Sequence, residues 1–394
     1  MFATQGLQLS FLDETRSPIE IIRKQPPPHP ESPRIFSCGM GRNSVAAIVM
    51  FWKLGLKIDL IIFADTGNEK QATYDYIEIF QKWLLEHGMP LITIVRKEPG
   101  EVSPTRKVLV AAKFNWFNYL RWSIKCGGET EIIRWLIQSL NIAAHKYTTL
   151  EEECLVNQSL PSKAYGGSKC SMMWKIEPQQ KYEREWLVEN GHAIKLSKKK
   201  FQTLEELELA LWLVSTLALE FGESSDLLLK MVLLIWKLRS HRVYSEGILA
   251  KFPVAKYIGF HVDETHRLLN KATSQMRSLT DGIYQNHYPL MQYGLDDLAC
   301  QMLIASVDLP VPPKSSCTLC PSSKLEEIRD LDPDDRKRAH LIEAVWENGI
   351  QRQYDSSVKG LGRRFSWREI NTLSNLEEVA IASVQESRNC HCID

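Results

Sequence analysis

The sequence predicts an α/β protein: a parallel sheet flanked by helices, with a helical insertion and a cysteine-rich C-terminal part. Three observations carry this prediction. Strand-like and helix-like runs alternate from residue 34 to residue 96, the pattern that builds parallel sheets. The first two strand-like runs each end in a polar, glycine-bearing turn, Ser37–Ser44 and Ala64–Glu69, and in such sheets ligands gather at the strands' carboxyl ends. Cys317 and Cys320, three positions apart, sit in a turn closed by Pro321, a spacing that lets two thiolates face one metal.

In chain order, residues 1–33 read as an arm whose proline-rich part, Gln25–Pro33, is a stiff extended connection. A core over 34–199 opens with strand 34–37, helix 43–54, strand 57–63, helix 69–87 and strand 90–96. The turn between its first strand and helix reads Ser37-Cys38-Gly39-Met40-Gly41-Arg42-Asn43-Ser44. Its glycines let the backbone approach an anion, and the helix N-terminus adds partial positive charge. The amides of Gly41–Ser44 and the Ser44 hydroxyl are candidate phosphate donors, Arg42 adds charge, and Asp65, Thr66 and Gly67 end the second strand beside them.

Lysine plus arginine and aspartate plus glutamate number 48 each in the 394 residues, so net charge points to neither nucleic acid nor membrane. Nine cysteines without an export signal read as thiols or metal ligands in a cytoplasmic protein. The apolar runs Leu207–Phe221 and Leu227–Leu238 are shorter than the roughly 20 residues a membrane span needs, and Glu208 and Lys230 interrupt them. No membrane association is expected.

From Val108 to Ile142 the pattern is helical and aromatic, with Lys113, Arg121 and Lys125 interleaved. It reads either as a stacking face for nucleic acid or a bulky adenylate, or as aromatic core beside a solvated basic face. Residues 200–253 look like an inserted helical hairpin, a packing, partner-binding or dimer surface. Residues 254–323 return to the core, with a strand at Val254–Gly259 and then Glu264 and Arg267, which form either a phosphate-holding pair or an internal salt bridge. A helix-like run Leu298–Val307 carries Cys300 toward the Cys317-Cys320 turn, which reads as metal ligation or as a redox dithiol. Residues 324–394 are helical and charged up to Cys390-His391-Cys392.

Ser37-x-Gly39-x-Gly41-x-Asn43-Ser44, followed by Phe63-Ala64-Asp65-Thr66-Gly67 with Thr73 and Tyr74, resembles the PAPS reductase family of the PP-loop, or adenine nucleotide α-hydrolase-like, superfamily. The likeness is greatest to its phage and mobile-element branch, and it covers Ile35–Ser323 apart from the insertion. The usual loop reads Ser-Gly-Gly-x-Asp-Ser; here Gly39 and Met40 take the places of its serine and first glycine, and Asn43 replaces the aspartate. Cys170, Lys175 and Pro178 match a motif of the cluster-bearing reductases, in which Ser171 and Trp174 replace a cysteine and an arginine. Gly259, Glu264 and Arg267 approach the family's motif after the fourth strand.

The resemblance implies a Rossmann-like fold and an adenine nucleotide, ATP or PAPS, at Ser37, Gly39, Gly41, Asn43, Ser44, Asp65, Thr66, Gly67 and Lys175. Ser44, Arg42, Glu264 and Arg267 are the expected catalytic set. A 4Fe–4S cluster, or alternatively zinc, is expected on Cys170, Cys300, Cys317 and Cys320. Three functions follow. The first is cleavage of ATP between the α- and β-phosphates for adenylation or sulfur transfer, with nucleic acid as acceptor or phage defence as setting. The second is a true sulfonucleotide reductase; the third is a non-catalytic nucleotide-sensing scaffold, in which a protein partner or a second copy of the chain would use the insertion.

Overall fold

The structure, a computed structural model, describes residues 17–101, 146–161, 169–195, 248–269, 276–349, 352, 357–373, 378 and 381. Val108–Ile142, residues 196–247 of the insertion region, Cys126 and the Cys390–Cys392 tail lie outside the described residues.

Alternating apolar residues make the two buried faces of the sheet. After α1 (Pro18–Arg23), closed by a Ser17 capping box, β1 (Arg34–Ser37) leads into α2 (Arg42–Lys53), β2 (Leu60–Asp65), α3 (Gln71–Glu86) and β3 (Ile92–Arg96). β2 is buried at every position, as a central parallel strand must be. It pairs with β1 from Leu60 opposite Ile35, so the strand expected to open at Lys57 opens at Leu60. Next come β4 (Gly100–Glu101), β5 (Lys146–Tyr147) and α4 (Leu150–Val156). A π-helical turn at Met172–Ile176 then enters α5 (Glu177–Glu189). β6 (Ala193–Lys195), β7 (Ile248–Ala250), β8 (Val254–Ile258), β9 (Thr280–Asp281) and β10 (Tyr284–His287) are the remaining strands among the described residues. α6 (Pro289–Gln292), α7 (Asp297–Ala305), α8 (Leu325–Arg329) and α9 (Pro333–Asn348) follow.

The six-stranded sheet runs β3-β2-β1-β8-β10-β9. Its strands are parallel except β9, which is antiparallel to β10. Phe36, Ile61, Phe63, Ala255 and Tyr257 face α2, α3 and α7. Ile35, Leu60, Ile62 and Val254 face the other way, onto Leu187 of α5 and the β6–β7 pair. A separate core joins α4, α8 and α9 to Trp174, Cys317 and Leu319. The protein is therefore a mixed, mostly parallel α/β structure with helices on both faces of its sheet. Among the described residues no helix is long and apolar enough to cross a membrane.

His287, which ends β10, gives this fold an acid-sensitive point. It is 1% exposed, its Nε2 has no hydrogen-bond partner among the described residues, and burial pushes its pKa down from 6.5 to about 4. The unfolded chain therefore takes up this proton near pH 6.5 and the folded chain only near pH 4. Stability is full above the unfolded value and falls by about 3 kcal/mol as pH drops through the window. Urea midpoints between pH 7 and pH 4 should show His287→Phe losing about that much less than the wild type. Parallel losses in the two proteins would place the acid sensitivity elsewhere.

Candidate functional site

The strand order reverses between β1 and β8, so the crevice beyond their carboxyl ends is where a ligand fits such a sheet. β1 ends at Ser37, and the chain passes through Cys38–Gly41 into α2. Met40 takes φ 60°, an uncommon left-handed conformation for a residue with a side chain, and its buried Sδ lies 3.5 Å from Cys38 Sγ. Burial raises the Cys38 thiol to about 11. Gly41 is the N-cap of α2, and among the described residues no side-chain cap bond closes that end. The first intrahelical bond runs from Val45 N to Gly41 O, 3.1 Å, so the amides of Arg42, Asn43 and Ser44 point out of the positive end of the helix.

The expected side chains at this loop already have partners. Ser44 Oγ donates to Gly41 O at 3.1 Å, and Ser37 Oγ donates to Gln179 Oε1 at 3.3 Å. Gly39 is buried. Arg42 turns to Asp297 at 2.8 Å in a half-exposed pair, which contributes little. Asn43 Nδ2 donates to Glu264 Oε2 at 2.8 Å, and Arg267 donates to Glu264 Oε1 at 2.6 Å. Asn43, Glu264 and Arg267 thus meet as one group. Arg267 is buried, 4.0 Å above the Phe260 ring. Gly259 allows this meeting, because a Cβ there would lie 2.8 Å from the backbone of Asn43 and Ser44.

The second turn is held just as firmly. Asp65 accepts from Gly67 N at 2.7 Å, from Tyr74 Oη at 2.8 Å and from two Arg96 nitrogens at 2.9 and 2.6 Å. Burial and the Asp65 carboxylate push the Tyr74 phenol up, so it stays a donor. Gly67 has φ 71°, and a Cβ there would meet Thr149 Cγ2 at 2.5 Å. Thr66 Oγ1 donates to Glu69 Oε1 at 2.9 Å, with Lys175 Nζ 3.4 Å from the same oxygen. The π-helical turn presents Lys175 and anchors Trp174, whose Nε1 donates to Glu153 at 2.5 Å.

Sequence reasoning missed the segment that covers both turns. Cys317 forms a β-bridge with Glu69, and Thr318 N donates to Asn68 O at 2.8 Å. A Cβ at Gly41 would lie 2.9 Å from Ser315 Oγ. The Cys317-Cys320 turn and its approach therefore form a strap across the ends of β1 and β2. Asn68, Glu151 and Arg338 support it from behind: Asn68 donates to Glu151 at 2.9 Å, and Arg338 Nε donates to the same oxygen at 2.7 Å. No local pattern announces that three-residue network. Along the seam, Glu69 Oε2, Ser316 Oγ and Thr318 Oγ1 are buried without a hydrogen-bond partner among the described residues. Buried polar atoms are rarely left so, and a bound polar group or water would complete them.

Beneath the strap lies a pocket of about 60 Å3, lined in part by Thr66, Lys175, Cys170, Cys317 and Cys320. Cys154 is buried next to these thiols, which raise its own thiol further after burial and Glu153. Burial and Glu69 push Cys317 up, while Lys175 opposes them. Cys300 is not brought to this pocket: it faces the α2 side of the sheet, where burial and Asp297 raise it to about 12. A 4Fe–4S or zinc site needs about four converging ligands. Among the described residues no three His, Cys, Asp or Glu side chains converge on a metal position, so Cys170, Cys300, Cys317 and Cys320 as placed do not fit either group.

Comparison of the chain with family models, curated proteins and solved structures gives no match. The family resemblance therefore rests on the motif residues themselves.

Proposed function

We propose that the chain binds an adenine nucleotide in the crevice between β1 and β8, with its phosphates on the amides of Arg42, Asn43 and Ser44. The observation that carries this reading is the uncapped glycine N-terminus of α2 at the point where strand order reverses. The unpartnered polar atoms along the strap's seam support it, since they mark where a polar ligand would complete the bonding. Ser37, Ser44 and Asp65 serve this reading by shaping the loop and the second turn, because their own hydrogen bonds are already made. Glu264 stands near the helix end as a negative charge, which Arg267 neutralises.

The reaction that suits the resemblance is attack of an acceptor on the α-phosphorus of ATP. The acceptor's new bond to that phosphorus forms as the bond to the β-phosphate oxygen breaks, and pyrophosphate leaves. Pyrophosphate release from ATP distinguishes this reading from a nucleotide-sensing scaffold. Sulfite release from PAPS with a thiol donor would favour the reductase reading, for which the thiols beside Lys175 are the supporting observation.

Arg267→Ala tests the reading directly. Removal of the cation exposes the Glu264 carboxylate to the phosphates, a change on the order of 2–4 kcal/mol in triphosphate binding. Calorimetry should show a large loss for ATP and little for adenosine. Equal losses for the two ligands would mean that Arg267 only supports the fold.

A further inference from the structure

At the amino ends of the strands, opposite the crevice, a second polar cleft of about 400 Å3 opens between the turn before β1 and the segments before β2 and β8. We propose that it binds a small phosphomonoester carried on a flat ring. The proposal does not rest on the nucleotide reading, because β1 separates the two sites: Arg34 at its start lines this cleft, and Ser37 at its end enters the α2 loop.

Ser32 is the first observation. It lines the cleft, is 4% exposed, and its Oγ has no hydrogen-bond partner among the described residues. Its backbone is fixed by Ser32 N donating to His29 O at 2.9 Å and by the ring of Pro33 that follows. A buried hydroxyl held in place without a partner is a donor waiting for an acceptor.

Charge is the second observation. Asp59 is already used: it accepts from the Arg34 amide at 2.8 Å and pairs with Lys57 at 2.5 Å. Arg34 and Lys251 line the same cleft, and neither side chain has a carboxylate partner among the described residues. Among the described lining residues Glu31, exposed at the rim, is the acid left to oppose them. Two unpaired cations match a phosphomonoester, which carries about −1.5 to −2 at neutral pH, better than a carboxylate's single charge. Arginine with its planar fork and lysine with its point charge both suit phosphate oxygens.

The third observation sets the rest of the ligand. Phe252 forms part of the wall and is braced by His29, the rings stacked 4.3 Å apart at 10°. A braced aromatic face beside a phosphate position favours a flat ring over an aliphatic chain.

Phenyl phosphate, inorganic phosphate and benzoate are the probes, titrated calorimetrically into the full chain and its variants. Phenyl phosphate should bind saturably and more tightly than either of the others. Gly41→Asp should leave that binding unchanged, which separates it from the crevice. Lys251→Gln, at an exposed position, should weaken it about tenfold, and Ser32→Ala, which removes no existing hydrogen bond, roughly threefold. Absence of saturation, benzoate binding as tightly as phenyl phosphate, loss of binding in Gly41→Asp, or full affinity in both cleft variants would each overturn the proposal.

Discussion

Gly41→Asp is expected to lower ATP affinity by at least about a hundredfold while leaving the fold intact. Gly41 has φ −90° and ψ 172°, extended backbone that any residue adopts. Aspartate is among the best N-cap residues, since its carboxylate accepts from the first amides of a helix. Those are the amides the phosphates would need, so the substitution fills the site and repels what should enter it. The added Cβ would lie 2.9 Å from Ser315 Oγ, a contact that rotation of the serine relieves. The variant should melt within about 1 kcal/mol of the wild type or above it. A calorimetric titration that returns unchanged ATP affinity in the folded variant would mean that the phosphates go elsewhere.

The largest expected loss of stability belongs to Lys256→Ala. Lys256 lies on β8, buried, with its ammonium 2.8 and 3.1 Å from the two oxygens of Glu183, which is 0% exposed. The Tyr284 ring lies 5.0 Å from the same ammonium. Removing the lysine leaves a carboxylate inside the protein with no countercharge, at a cost of about 3–5 kcal/mol. Replacing both partners together, Lys256→Met with Glu183→Leu, should recover most of that loss, because an apolar pair of similar volume needs no compensation. Urea denaturation at pH 7 measures both variants. A single-variant loss below about 1 kcal/mol would show that water reaches Glu183 and that the pair is not sealed.

The same pair explains what the sequence hid. β1, α2, α3, β3 and β8 were legible because their apolar residues repeat with the period of a strand or a helix. α5 was not, although it covers one face of the sheet. Its inward positions are Pro178, Gln179, Glu183 and Leu187, so half of its buried face is polar. Gln179 is there to receive Ser37 and Glu183 to receive Lys256. A search for apolar periodicity passes over such a helix.

The candidate site divides in a similar way. That Glu264 would reach the α2 loop could be anticipated from its place after the fourth core strand. The contact of Ser315 with Gly41 and the bridge from Cys317 to Glu69 could not, since nothing local in either segment encodes a meeting so distant along the chain. Cys300 shows the converse. It lies just before the Cys317-Cys320 turn in sequence, yet α7 packs on α2 and carries it to the other core. Nearness along the chain was a poor guide to nearness of the thiols.

The most direct test is the crystal structure of the chain soaked with ATP. Phosphate oxygens within hydrogen-bond distance of the amides of Arg42, Asn43 and Ser44, with Ser315 moved off Gly41 to admit them, are the predicted result. ATP bound with its phosphates at any other position, while Ser315 still covers the loop, would contradict the account.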